Sequence, residues 1–211
     1  SLLFCPTKNS INNLEKEEIT KGVVLSGDVM YDIFKRFSEN NKHINETKVK
    51  IGSNFVIATI HRQENTDDEK RLRSIFSNLD MINEKIRVVF PLHPRTKAQL
   101  KKFNIETKIE CIEPLGYLSM LSILKSAKIV FTDSGGLQKE SFFAKKKCII
   151  VRNETEWTEL TDIGVNHLSN PEDLFDTFEK VKKIKCNFAY NFFGDGNASK
   201  TIVDSIIRFF D

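Results

Sequence analysis

An α/β protein with a parallel sheet covered by helices on both faces is the fold class this sequence predicts. Three observations carry that expectation. Short β-branched runs alternate with helical patterns almost throughout, which implies right-handed βαβ crossovers. The helical stretches place apolar residues at three-and-four spacing, as in "DDEKRLRSIFSNLDMINEK" with Leu72, Ile75, Phe76, Leu79 and Ile82. The 211 residues are 40% hydrophobic with only 5 prolines, enough apolar material for a substantial core.

In chain order the expected strands are Leu2–Cys5, Val23–Leu25, Phe55–Ile60, Val88–Leu92, Ile109–Ile112, Ile129–Thr132, Cys148–Val151 and Asn166–Leu168. Asp67 and Thr96 are expected helix N-caps. A further helix is expected in "GYLSMLSILKSA", with Tyr117, Leu118, Leu121 and Leu124 on one side. The stretch 198–210 reads as a lone terminal helix with Ile202, Ile206, Phe209 and Phe210 apolar. No linker divides the chain, so residues 1–211 are expected to form a single domain.

Composition excludes several classes. A net charge of +3 is too small to argue for nucleic acid as a partner. No stretch approaches 18 uninterrupted apolar residues and no secretory leader pattern is present, so no membrane partner is expected and a cytoplasmic location is. Cys5, Cys111, Cys148 and Cys186 are widely spaced with no CxxC pair, which argues against a disulfide framework or a zinc site. Metal-ligand spacing is absent, and neither a Walker loop nor GxGxxG occurs, so no metal or cofactor is expected. The lysine run 145–147 reads as a solvated helix end.

In an open parallel sheet, ligands bind beyond the carboxyl ends of the strands. That rule selects "TIHRQEN", "FPLHPRT", "TDSGG" and "RNETEWTE". In the third, Ser134-Gly135-Gly136 follows an apolar strand and opens a helix. Free N–H groups there can cradle a phosphate, with Glu140 one turn on for ribose hydroxyls. A tight turn with a serine cap explains the same residues, and spacing alone leaves both open. His61 and Arg62 could clamp a diphosphate, or His61 could be a satisfied buried ring. His93 repeats the placement, with Pro94 stiffening the exit and Arg95 two residues on. His43 and His167 lack charged company at a strand end and receive no role. Glu154, Glu156 and Glu159 read as an acidic, solvated helix start rather than as acid/base carboxylates. Gly194-Asp195-Gly196 reads as a turn before the last helix.

Eight stretches in register, "LLFCPTKNSINNL", "GDVMYDIF", "ATIHRQEN", "FPLHPRT", "EPLGYLSML", "FTDSGGLQKES", "RNETEWTEL" and "FGDGNASKTI", resemble the UDP-N-acetylglucosamine 2-epimerases. The resemblance implies a Rossmann-like three-layer sandwich, equivalent to the C-terminal half of a glycosyltransferase-B-type fold. It covers only that half. The family's N-terminal domain, which holds the carboxylates proposed for acid/base chemistry, is expected to be a partner in a full-length protein, itself expected to be a homodimer.

Carried over position by position, the resemblance implies that Ser134, Gly135 and Gly136 hold the diphosphate of a UDP-sugar and Glu140 its ribose. Met120 falls where the family packs a residue near the uracil, and His61 matches an active-site histidine near the diphosphate. Arg62 and His93 match positions that bind a second, activating UDP-N-acetylglucosamine in the non-hydrolysing branch. The chemistry implied is anti elimination of UDP and re-addition with inverted C2. Two positions depart from the common pattern: Lys139 stands between Gln138 and Glu140 where a glutamate is usual, and Trp157 stands where an arginine is.

Overall fold

The computed structural model describes residues 1–39 and 54–210, and His43 lies outside them. The chain divides into two compact units, Ser1–Asn41 with Ala189–Asp211, and Lys42–Phe188.

The larger unit holds a six-stranded parallel sheet. Its strands are β3 (Phe55–Thr59), β4 (Arg87–Pro91), β5 (Glu110–Ile112), β6 (Ile129–Thr132), β7 (Lys147–Ile150) and β8 (Asn166–Leu168), in the order β5-β4-β3-β6-β7-β8. The chain builds outward from β3 to β5, crosses back, and builds outward again from β6 to β8. The direction of winding therefore reverses between β3 and β6, and a doubly wound sheet opens a crevice at that point.

Every residue of β3 and β6 is buried, the continuous apolar pattern of a strand covered on both faces. The pleat sends alternate residues to two separate cores. Val56, Ala58, Val88, Phe90, Phe131 and Ile149 pack with Leu72, Ile75, Phe76, Leu79 and Ile82 of α4 (Glu69–Asn83) and with Leu174 and Phe178 of α9 (Leu174–Val181). Phe55, Ile57, Val89, Val130, Cys148 and Ile150 pack on the other face. Their partners are Ile123 and Leu124 of α6 (Tyr117–Ser126) and Leu137 of α7 (Gly135–Phe143).

The two expected N-caps are corrected. The carboxylate of Asp68, not Asp67, accepts from the Arg71 N–H and caps α4. Asp67 closes the short helix α3 (Gln63–Thr66) and accepts from Arg95 and Gln99. Helix α5 (Pro94–Lys102) starts two residues before Thr96, because Pro94 suits a first helical position. His93 is its cap, and the buried Thr96 hydroxyl donates to the Ile60 carbonyl.

The lysine run is likewise not all solvated. The Lys147 ammonium donates to the Val181, Lys182 and Ile184 carbonyls and so satisfies the end of α9. All four cysteines are free. Burial pushes the Cys148 thiol up to about 12, as suits a small hydrophobe in a core. Cys111, on the edge strand β5, is exposed.

The smaller unit contains α1 (Lys8–Lys16), α2 (Val29–Glu39), α10 (Ala198–Phe210) and two strands, β1 (Leu3–Cys5) and β2 (Val23–Leu25). Among the described residues these strands pair only with each other, in parallel. Each is three residues long and partly exposed, unlike β3 and β6, which are buried throughout. The expected turn at Gly194 and Gly196 is present, both with positive φ. The first N–H groups of α10 find their acceptor on another helix, where the Asp32 carboxylate receives Ala198 and Ser199. Among the described residues no helix is long and apolar enough to cross a membrane.

Candidate functional site

The reversal of winding brings the exit of β3 beside the exit of β6, and one buried carboxylate fastens the two together. Asp133 follows β6 directly and has no exposed surface. Its Oδ1 and Oδ2 accept the His61 backbone N–H at 3.2 and 3.0 Å, and Oδ2 accepts the Arg62 N–H at 2.9 Å. The Asn65 side-chain amide donates to Oδ2 at 3.1 Å and to the Val151 carbonyl at 2.9 Å, which ties in the exit of β7. Several donors on one carboxylate are what its burial demands. The His61 ring stands 3.6 Å from Oδ1 through Nδ1, with its side chain 39% exposed.

One residue on, Ser134 caps α7: its Oγ accepts the Leu137 N–H at 3.4 Å. The Ser134 N–H is itself committed, donating to the Thr132 hydroxyl at 3.0 Å, and Thr132 meets Thr59 across the strand pair. That narrows the phosphate cradle expected from sequence. Its usable donors are the Gly135 and Gly136 N–H groups and the Ser134 hydroxyl, at the end of the helix where partial positive charge gathers. Gly135 also lies close to the loop after β7. A Cβ there would lie 2.2 Å from a Glu156 carboxylate oxygen, so the loop after β7 presses directly on this turn.

Glu140 lies on α7, where burial pushes its carboxyl up to about 7, partly offset by the Lys139 charge. Burial and the Glu140 charge push the Tyr117 phenol up to about 12, which puts the start of α6 in electrostatic reach of Glu140. Met120, also on α6, is partly buried against the second core. His93 sits at the exit of β4, its ring centroid 5.3 Å from that of His61. Its Nδ1 accepts the Arg95 N–H at 3.2 Å.

In the acidic loop after β7, Glu154 and Glu156 are exposed as expected, whereas Glu159, on the short helix α8 (Thr158–Asp162), is not. Glu159 is buried, and Glu156 is gripped by Arg152 at 2.6 Å, with Arg62 at 3.7 Å. Burial would raise the Glu156 carboxyl, but its own N–H, the Arg152 bond and the charges of Arg152 and Arg62 hold it below the usual range. Trp157 donates through its indole N–H to the Gly135 carbonyl at 2.9 Å.

Sequence reasoning did not single out Asp133, Asn65 or Arg152. Asp133 sits one residue beyond β6 and Arg152 two residues beyond β7, and that position was the available signal. Asn65 carried none. Among the described residues no group of three or more His, Cys, Asp or Glu side chains could hold a metal ion.

The sequence profile described as UDP-N-acetylglucosamine 2-epimerase matches residues 1–207. A UDP-N-acetylglucosamine 2-epimerase homolog of Methanococcus maripaludis is 38% identical over 97% of this chain and 60% of its own length. A UDP-2,3-diacetamido-2,3-dideoxy-D-glucuronate 2-epimerase of Pseudomonas aeruginosa is 40% identical over 79% of this chain and 48% of its own. In space, the chain matches the UDP-GlcNAc 2-epimerase of Methanocaldococcus jannaschii, solved with UDP-GlcNAc and UDP. That TM-score is 0.89 at 34% identity, over 99% of this chain and 61% of that one.

Proposed function

The chain belongs to the UDP-N-acetylglucosamine 2-epimerase family, and from that premise we propose that it supplies the UDP-binding half of a nucleotide-sugar 2-epimerase. The observation that carries the reading is the shared anchor at the reversal of winding. Asp133 holds His61 and Arg62 from one strand exit while its neighbours Ser134, Gly135 and Gly136 open the next helix.

In this reading the Gly135 and Gly136 N–H groups and the Ser134 hydroxyl bind the diphosphate, and His61 faces it from the other strand. Glu140 takes the ribose hydroxyls and Met120 lies against the uracil. Negative charge grows on the departing diphosphate as the glycosyl bond breaks, and oriented amides stabilise such charge best where water is excluded. Proton removal at C2 and its return to the opposite face need groups from the portion of the relatives that this chain does not span. The isolated chain is therefore expected to bind UDP weakly and to turn over nothing. Arg62 and the outward nitrogen of His93 fit a second, activating nucleotide-sugar in the full-length dimer.

The sugar is a UDP-linked 2-acetamido hexose. A 2,3-diacetamido uronate is the second candidate, favoured by the 40% identity to the Pseudomonas aeruginosa enzyme of that name.

Calorimetric titration of UDP tests the nucleotide site. Ser134→Asp keeps a good helix cap and so should keep the melting temperature, yet it sets a carboxylate against the diphosphate. UDP binding should disappear in that variant, and unchanged affinity would remove the site from this turn. Full-length protein incubated with UDP-N-acetylglucosamine alone should give the manno isomer as its UDP ester. Release of free N-acetylmannosamine would mark a hydrolysing enzyme, and a requirement for an acceptor would mark a glycosyltransferase.

A further inference from the structure

Trp157 is the chain's only tryptophan, and it bridges one turn of α7. Its indole N–H holds the carbonyl of Gly135 at 2.9 Å. Its ring receives the Lys139 ammonium 4.4 Å from the centroid. Gly135 and Lys139 are four residues apart on the helix, so both grips fall on one side of its first turn. Lys139 is only 7% exposed, and the negative face of an indole helps offset the loss of water around its charge. Beside this contact a Glu156 carboxylate oxygen lies 2.2 Å from where a Cβ on Gly135 would stand. The free N–H groups of Gly135 and Gly136 lie at the end of the same turn.

We propose that Lys139 and Trp157 are positioning residues, a cation–ring clamp that fixes the first turn of α7 on the loop after β7 and thereby aims the Gly135 and Gly136 N–H groups at the diphosphate. This rests on the nucleotide reading above. Neither side chain need touch the ligand. The clamp acts because a helix end can bind an anion tightly only if its donors are held in place before the anion arrives.

A double-substitution cycle read by UDP calorimetry tests the clamp, with circular dichroism melting to check folding. Lys139→Met and Trp157→Leu should each weaken UDP about fivefold to thirtyfold, the range a desolvated cation–ring contact supports. The double variant should be little worse than either single one, because each breaks the same contact. Lys139→Arg keeps a cation over the ring and should bind UDP nearly as the parent does. Trp157→Phe keeps the ring but loses the N–H, and should fall between the parent and Trp157→Leu. These two milder variants decide the matter if a harsher one fails to fold.

Without ligand, Lys139→Met should also change the emission of the lone tryptophan, because it removes an ammonium from the ring face. Unchanged emission would overturn the contact. If Lys139→Met weakens UDP equally with and without Trp157, Lys139 acts by charge alone and the clamp fails while the nucleotide site stands. If the parent chain does not bind UDP, the nucleotide reading fails first and the clamp's function with it.

Discussion

Two histidines stand at the ends of adjacent parallel strands, look alike in sequence, and are wired oppositely. His61 follows β3 and His93 follows β4, each with an arginine within two residues and their rings 5.3 Å apart. At the β3 exit the backbone N–H groups of His61 and Arg62 go to Asp133, so the main chain is anchored while the His61 side chain projects partly into solvent. At the β4 exit it is the side chain that is committed, because the His93 Nδ1 caps α5. The arginines differ as well. Arg95 is bonded to Thr66 and Asp67, whereas the Arg62 side chain reaches Glu156 only at 3.7 Å. The difference traces to the neighbouring strand. β3 borders β6, whose exit supplies a buried carboxylate, and β4 borders β5 on its other side. Residue type nominates a strand-end histidine, and the adjacent strand decides whether its backbone or its ring is the part committed to a hydrogen bond.

The largest expected effect comes from removing the anchor that creates this contrast. Asp133→Asn replaces a carboxylate oxygen with an amide that cannot accept all of the N–H groups from His61, Arg62 and Asn65. Leaving buried donors unmet in this way should cost about 2–4 kcal/mol of stability, read as a lower urea midpoint. An unchanged midpoint would mean that the β3 exit is held by something other than this carboxylate.

Next in size is the contrast between the rings themselves. His61→Ala should weaken UDP about tenfold, the effect of losing one charge-assisted hydrogen bond, with little change in melting temperature. His93→Ala should do the reverse, leaving UDP affinity within about twofold while costing about 1 kcal/mol through loss of the cap. His93→Ser should restore that stability. Equal losses of UDP affinity in the two alanine variants would erase the distinction between the exits.

Much of this arrangement could be read from the residues. The buried strand Ile129–Thr132 announces itself as a short apolar run, and its bounds, like those of Val23–Leu25 and Asn166–Leu168, match the expected ones. His61, His93 and Ser134 lie just beyond β3, β4 and β6, the locations that the alternation of strands and helices gives them. What stayed hidden was pairing. Asp133 accepts donors more than sixty residues away, and no local spacing reports such a partner. Thr96 rather than His93 is the expected cap of α5 because serine, threonine and asparagine dominate caps, although Pro94 suits a helix that starts there. Glu159 was expected in solvent because acidic residues suit helix starts, yet it is buried beneath its loop. The separate pairing of β1 with β2 was also unreadable, since strand order is a property of crossovers and not of the strands themselves.

The smallest expected effect concerns pH and extends the comparison to Glu140, the one carboxyl of the proposed site whose burial, not its partners, governs its titration. Its native value near 7 lies above the ordinary 4.5, so between those values the folded chain holds a proton that the unfolded chain has released. Stability from this group is therefore complete below about pH 4.5 and declines as pH rises towards 7. Glu140→Gln should flatten that part of the stability profile. Ribose hydroxyls donate best to the ionised carboxylate, so UDP affinity should move the opposite way, rising through pH 7 in the parent relative to Glu140→Gln. Dividing by the variant cancels the titration of UDP itself. A ratio of the two affinities that stays flat from pH 6 to pH 8 would take Glu140 off the ribose and leave it as a half-buried acid in electrostatic reach of Tyr117.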